Sequence, residues 1–317
     1  MIKSVIIFLL ILWGNIHFLA KDLDGSDKLS VKKLCVSADG RKLFSVNDQT
    51  LNIWDLEQNE IIKSVKCGNS TLYSLSYSDE QNKIALGNRN GEVIIVHPNN
   101  ELEVIKLEGS GFISSVIVAN SGRYLYAGTE EGKIYKVDLM NGDLISEHHT
   151  HNNIVTALVY RKDGDQLISS GADGLVKSSK GNDLSNNEII QKSTGWIRDL
   201  CLSNDESILI TGNDAGKIYR YKINVNGQFK LVERTGQYAN WVTCVDMAGN
   251  DLIAEASFSG RIHINFMFGS YHQKTKHRIN DLCLIPINEN YTRIAIATDA
   301  SGVIFINSKE MKLKMRK

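Results

Sequence analysis

Val31-Lys-Lys-Leu-Cys-Val-Ser37 is the first of seven copies of one pattern, in which apolar residues are spaced by three and then alternate. The others begin at Leu72 (LYSLSYS), Ile113 (ISSVIVA), Val155 (VTALVYR), Ile197 (IRDLCLS), Val242 (VTCVDMA) and Ile279 (INDLCLI), at intervals of 41, 41, 42, 42, 45 and 37 residues. A second motif follows in each unit: a short apolar run, a turn built on Gly, Asn or Asp, and an alternating strand. IALGNRNGEVIIV from Ile84 and LYAGTEEGKIYKVDL from Leu125 are examples. Gly91, Gly132, Gly174, Gly216, Gly260 and Gly302 mark the turns, and Thr50 takes the matching place in the first unit.

Alternating apolar residues between tight turns predict four short strands per unit. Amphipathic helix patterns long enough to compete are absent. A four-stranded unit of this length cannot bury both faces alone, so it must stack on copies of itself. Radial stacking covers both faces and leaves only short edges. The expected fold is therefore all-β: a seven-bladed β-propeller of four-stranded blades over residues 27–317. The blades fall near 27–67, 68–109, 110–150, 151–194, 195–236, 237–276 and 277–317. Met311, Leu313 and Met315 alternate at the C-terminus, which nominates that segment as the last outer strand. Lys21 to Lys28 is the alternative.

Residues 1–20 stand apart. Lys3 precedes a stretch from Ser4 to Trp13 that is apolar apart from Ser4; Gly14, Asn15 and His17 then interrupt it before Phe18-Leu-Ala20. A positive start and a short apolar core read as a secretory signal. The segment is shorter than the about 20 apolar residues of a spanning helix. Phe18 occupies a position where a cleavage site wants a small residue, so an uncleaved N-terminal anchor is the alternative. The expected location is periplasmic or secreted, with membrane contact only through this segment if it is retained.

Thirty-six basic residues balance 36 acidic ones. Such a chain has no electrostatic footprint for nucleic acid or anionic lipid. At 42% hydrophobic and 23% charged it can build a core.

Leu51-Asn-Ile-Trp54-Asp55-Leu56 resembles the Trp-Asp ending of a WD repeat, with Asp48 and Thr50 upstream at the family's turn. His151-Asn-Asn-Ile-Val155 resembles the family's Gly-His pattern, with Thr150 in place of Gly, and Ser169-Ser-Gly-Ala-Asp173-Gly174 resembles its following turn. The resemblance implies a buried hydrogen-bond chain of His, Ser or Thr, Asp and Trp within a blade. Asp48, Trp54, Asp55, His151 and Asp173 would then be structural residues. The set is incomplete in every unit: Ser179 stands at the Trp position of the fourth, and the first has no His before Val31.

Cys35, Cys201 and Cys283 occupy one repeat position, each in its own unit, while Cys67 and Cys244 lie elsewhere. Five is odd, so a full disulfide framework is excluded. Buried thiols fit a reducing compartment better than an oxidising one, a point against export that the leader outweighs. His148, His149 and His151 cluster beside Glu147, but on one loop, and zinc needs three or four ligands in fixed geometry; no metal or cofactor is expected. His263, His272 and His277, with Lys274, Lys276 and Arg278, form a small basic stretch read as a solvated loop or a contact for an acidic partner. A Gly-x-Ser-x-Gly elbow and a phosphate-cradling loop are both lacking, so no catalytic residues are nominated and no enzyme activity is expected.

The residue before each first strand lies near one rim of the channel: Ser30, Thr71, Phe112, Ile154, Trp196, Trp241 and Arg278. Trp, Tyr and Arg dominate binding hot spots. Phe112, Trp196, Arg198, Tyr238, Trp241 and Arg278 are therefore the candidate binding rim, the alternative being that both Trp rings pack between blades. The expected function is a non-enzymatic scaffold, exported or anchored, that binds a protein or peptide on this rim as a monomeric propeller within a complex. Alternatives are a propeller that binds or hydrolyses a small molecule or glycan at the channel mouth, and an intracellular subunit of a larger assembly.

Overall fold

A computed structural model describes residues 30–119, 122–236, 241–249, 252–266, 269–288 and 291–307. Among them, 27 strands form seven antiparallel sheets, six of four strands and one of three. In each sheet the strands follow chain order from the inside outward. The innermost are Val31–Val36, Leu72–Ser78, Ile113–Ala119, Val155–Arg161, Ile197–Leu202, Val242–Ala248 and Ile279–Asn288. Each begins at the residue that opens a sequence repeat. Every inner strand packs on the next, and Ile279–Asn288 packs back on Val31–Val36, so the ring is closed. This is the expected seven-bladed propeller. The N-terminal segment and the proposed closing strand around Met311 lie outside the described residues.

Seven apolar clusters hold the ring, one at each junction between neighbouring blades. At the seam, Val31, Leu34 and Trp54 of blade 1 meet Cys283, Ile285 and Val303 of blade 7. Outermost strands such as Glu60–Lys66 alternate between exposed and half-buried positions, as a sheet edge facing solvent should.

Side chains of the inner strands stitch blade to blade. Asp281 Oδ2 accepts the Leu34 N–H at 2.8 Å, Asp199 Oδ2 the Val245 N–H at 3.0 Å, and Asp246 Oδ2 the Leu284 N–H at 2.7 Å. Ser76 Oγ does the same for the Val118 N–H at 3.1 Å. One level up, Ser114 and Thr156 hydroxyls donate to the Val155 and Ile197 carbonyls, both at 2.6 Å, and Asn280 Nδ2 donates to the Val31 carbonyl at 2.7 Å. These bonds satisfy backbone groups that no strand pairing reaches.

The turn glycines have a steric reason at Gly132. Its φ is +83°, and a Cβ there would lie 1.9 Å from the His151 carbonyl oxygen. The chain entering the next blade passes over this turn, and the Gly132 carbonyl accepts the Thr150 and His151 N–H groups. The first blade differs from the expected alignment. Thr50 pairs with Asn47 as a strand residue, the turn is only Asp48-Gln49, and the Gln49 carbonyl accepts the Cys67 N–H.

Candidate interaction rim

One backbone hydrogen bond, repeated around the ring, builds the rim. The carbonyl before an inner strand accepts the N–H that opens the same blade's turn between its second and third strands. Phe112 accepts from Glu130 (3.1 Å), Ile154 from Ala172 (2.8 Å), Trp196 from Asp214 (3.0 Å), Trp241 from Phe258 (3.0 Å) and Arg278 from Asp299 (3.2 Å). Each blade thus presents side chains from two loops side by side.

On blades 5 to 7 these side chains form a continuous row. The Arg198 guanidinium carbon lies 4.5 Å from the Trp196 ring centroid and 4.6 Å from that of Trp241. Asp214 accepts from Arg198 Nε and, at 3.2 Å, from Nη2, which fixes the plane of the guanidinium. Trp241 then meets Phe258 at 5.0 Å, and the Arg278 guanidinium covers Phe258 at 4.4 Å. Trp196 and Trp241 remain 36% and 40% exposed. Phe112 lies apart from the row, against Tyr73 at 5.0 Å. Tyr238 lies outside the described residues. Phe258 and Asp214 complete the row and were not nominated from sequence. Each opens the turn whose N–H bonds a rim Trp carbonyl, a cross-loop bond that only the structure reveals.

The residues assigned structural roles divide. His151, fully buried, places Nδ1 3.0 Å from Asp173 Oδ1 and Nε2 2.8 Å from Ser169 Oγ. Burial raises the Asp173 carboxyl, but the His151 contact and the N–H groups of Asn152 and Leu175 outweigh it and hold the group below the usual carboxylate value. Trp54 donates its indole N–H to Ser45 Oγ at 2.9 Å. Asp55 accepts the N–H groups of Glu57 and Gln58. Asp48 sits one place short of the Asp173 position and offers its carbonyl to the Leu72 N–H. Ser179, where the fourth blade lacks Trp, donates to Asn187 Oδ1 at 2.7 Å.

The channel wall is charged on one side. Lys33 Nζ lies 3.2 Å from Asp281 Oδ1. Burial disfavours the Lys33 ammonium, yet Asp281 and Asp199 beside it raise its pKa above the ordinary lysine value. Burial pushes Asp199 and Asp246 up to about 6, and raises Asp281 against the pull of Lys33. The thiols of Cys35, Cys201, Cys244 and Cys283 are all raised by the same burial, Cys35 to about 12. All five cysteines are free. Among the described residues, no group of three His, Cys, Asp or Glu side chains has the geometry to hold a metal ion. His148 and His149 end the outermost strand of blade 3, Asp143–His149, and do not lie on a loop as expected; His148 is near Asn187 while His151 turns inward to Asp173, so the three histidines do not converge. His263 and His272 belong to paired strands, not to a loop.

The family model for the WD domain, G-beta repeat, matches residues 19–55 and 142–178. Serine-threonine kinase receptor-associated protein of Mus musculus is 26% identical over 158 residues, 50% of this chain and 44% of that protein. U3 small nucleolar RNA-associated protein 4 of Saccharomyces cerevisiae is 21% identical over 312 residues, 92% of this chain and 39% of that protein. Target of rapamycin complex subunit wat1 of Schizosaccharomyces pombe is 21% identical over 56% of this chain and 57% of its own. The chain spans less than half the length of the mouse and budding-yeast relatives. Among solved structures, the RRP9 WD40 repeats superpose with a TM-score of 0.76 at 15% identity, covering 89% of this chain and 95% of that one. U3-55K superposes with a TM-score of 0.75 at 15% identity, over 89% and 96%.

These relatives correct the expected location. A small nucleolar RNA-associated protein and a subunit of a target of rapamycin complex are intracellular, which overturns the periplasmic or secreted reading drawn from the leader. Among the described residues no helix is long and apolar enough to cross a membrane. Sheet order, blade number, the His151–Asp173 contact and the family match converge on one conclusion: the chain is a seven-bladed β-propeller that carries WD repeats.

Proposed function

We propose that this propeller is a non-enzymatic scaffold, a subunit of an intracellular assembly, and that it holds a protein or peptide segment on the rim of blades 5 to 7. The observation that carries the reading is the row Trp196–Arg198–Trp241–Phe258–Arg278, with both tryptophans more than one-third exposed. Rigid aromatic and guanidinium groups bury large area at low entropy cost, which is why they anchor interfaces. Arg198 is already oriented by Asp214, so ordering it costs little on binding. The names of the relatives, a receptor-associated protein and a complex subunit, support a role within assemblies. The carboxylates of Asp281, Asp199 and Asp246 accept backbone N–H groups of the next blade, an arrangement that ties the ring together.

The test is affinity purification of the tagged chain beside a W196A/W241A variant, with thermal unfolding of both. Loss of specific co-purifying proteins by a variant of unchanged melting temperature supports the reading. An unchanged set of partners removes it.

A further inference from the structure

A second cluster lies on the outer strands of blade 6, Arg261–Phe266 and Gly269–Lys274. Their register sets Arg261 directly opposite Lys274 and His263 directly opposite His272. Residues two apart on a strand share a face, so four basic side chains occupy one face of a two-stranded ribbon. The imidazoles of His263 and His272 stack with centroids 4.0 Å apart at 14°. Burial and the neighbouring His263 lower the pKa of His272. Glu255, only 2% exposed, holds His263 Nδ1 at 2.5 Å. Among the described residues neither Arg261 nor Lys274 forms an ion pair. The four side chains border a cleft of about 610 Å³ whose far wall includes Gly236 of blade 5.

Like charges directly opposite one another destabilise a strand pair. An anion seated between them reverses that sign. Arg261 offers a planar fork suited to two oxygens of one phosphate, Lys274 a compact charge, and the exposed His272 ring a further N–H donor, while His263, engaged by Glu255, packs beneath it. Two fixed positive charges match a phosphate dianion, and the cleft has room for the group it is attached to. We propose that this cleft is a binding site for a phosphate monoester, held by Arg261 and Lys274 against the His263–His272 stack. The site is separate from the aromatic row and does not depend on it.

The experiment titrates the full chain at constant ionic strength with inorganic phosphate, adenosine monophosphate and a phosphoserine peptide, following the His263 and His272 ring protons by NMR. Saturable shifts absent with chloride, weakened at least about tenfold in R261A/K274A, support the site. Tighter binding of the phosphoserine peptide assigns it to a partner's modified side chain, tighter binding of the nucleotide to a free metabolite, and equal binding to phosphate itself. Both substituted side chains are exposed, so the variant should keep the wild-type melting temperature or exceed it. The proposal is overturned if phosphate gives no saturable shift, or if the double variant binds as the wild type does.

Discussion

Lys33 and Asp281 are 248 positions apart in the chain and 3.2 Å apart in space. The same carboxylate accepts the Leu34 N–H, so one side chain joins the first blade to the last by an ion pair and a backbone bond. Replacing it with Ala strips a buried N–H of its acceptor and a half-buried ammonium of its counter-charge. Asp281→Ala should lower stability by about 1–3 kcal/mol, and Asp281→Asn, which can still accept from Leu34, by less. Urea unfolding of the two variants beside wild type checks the order.

Asp246 gives the ring a pH response of definite sign. Its carboxyl is raised to about 6 by burial, above its value in the unfolded chain. A raised carboxyl favours the protonated folded state, so its contribution is full below about pH 4 and disappears as pH rises through 6. Wild type should therefore lose on the order of 1–2 kcal/mol relative to Asp246→Asn between those limits. Melting curves of both proteins from pH 4 to 7 measure the difference, and parallel curves would sink it.

Asp173 acts with the opposite sign. Its folded value is depressed by the net effect of His151 and two N–H donors over burial, so its contribution is present above the ordinary carboxylate pKa and lost as pH falls through the lowered one. Asp173→Ala should cost about 2 kcal/mol at neutral pH and progressively less in acid, as read by thermal unfolding.

Gly132→Ala is expected to destabilise more than an ordinary surface substitution, by upwards of about 1 kcal/mol. Its φ of +83° and the His151 carbonyl in the path of a Cβ act together. The equivalent change at Gly109, whose Cβ would meet nothing within 4 Å, carries only the backbone cost. Comparing the two melting temperatures separates contact from conformation.

At the rim, Arg198→Lys keeps the charge but not the plane. A lysine cannot face two indole rings while holding both Asp214 oxygens. Partner affinity should fall about tenfold or more, with little change in melting temperature. Quantitative pull-down against the co-purified partner provides the reading.

Blade number and the start of every inner strand were legible because stacking forces the same apolar spacing on each copy, as at Val31, Leu72 and Ile279. The His151–Ser169–Asp173 chain was legible through local motifs that span only 23 residues. The row on blades 5 to 7 was half legible. Trp196 and Trp241 stand out by type and position, whereas Phe258 and Asp214 come from turns whose place on the rim depends on a cross-loop backbone bond. The Asp281–Leu34 and Asp246–Leu284 bonds join different blades and leave no local trace. The Thr50 alignment failed by one residue because the first turn is shorter and needs no left-handed glycine. The leader pointed outward by its composition alone, while the inward-facing thiols carried the contrary signal.

Those thiols have a practical use. Cys67, Cys244 and Cys283 are buried, and that burial raises their thiols, Cys67 to about 11, so these three expose little nucleophilic thiolate in the closed ring at neutral pH. Alkylating reagents should modify them only during excursions in which neighbouring blades part. The pace of that modification, resolved cysteine by cysteine, would time how often each junction breathes and show where around the circle the protein first comes undone.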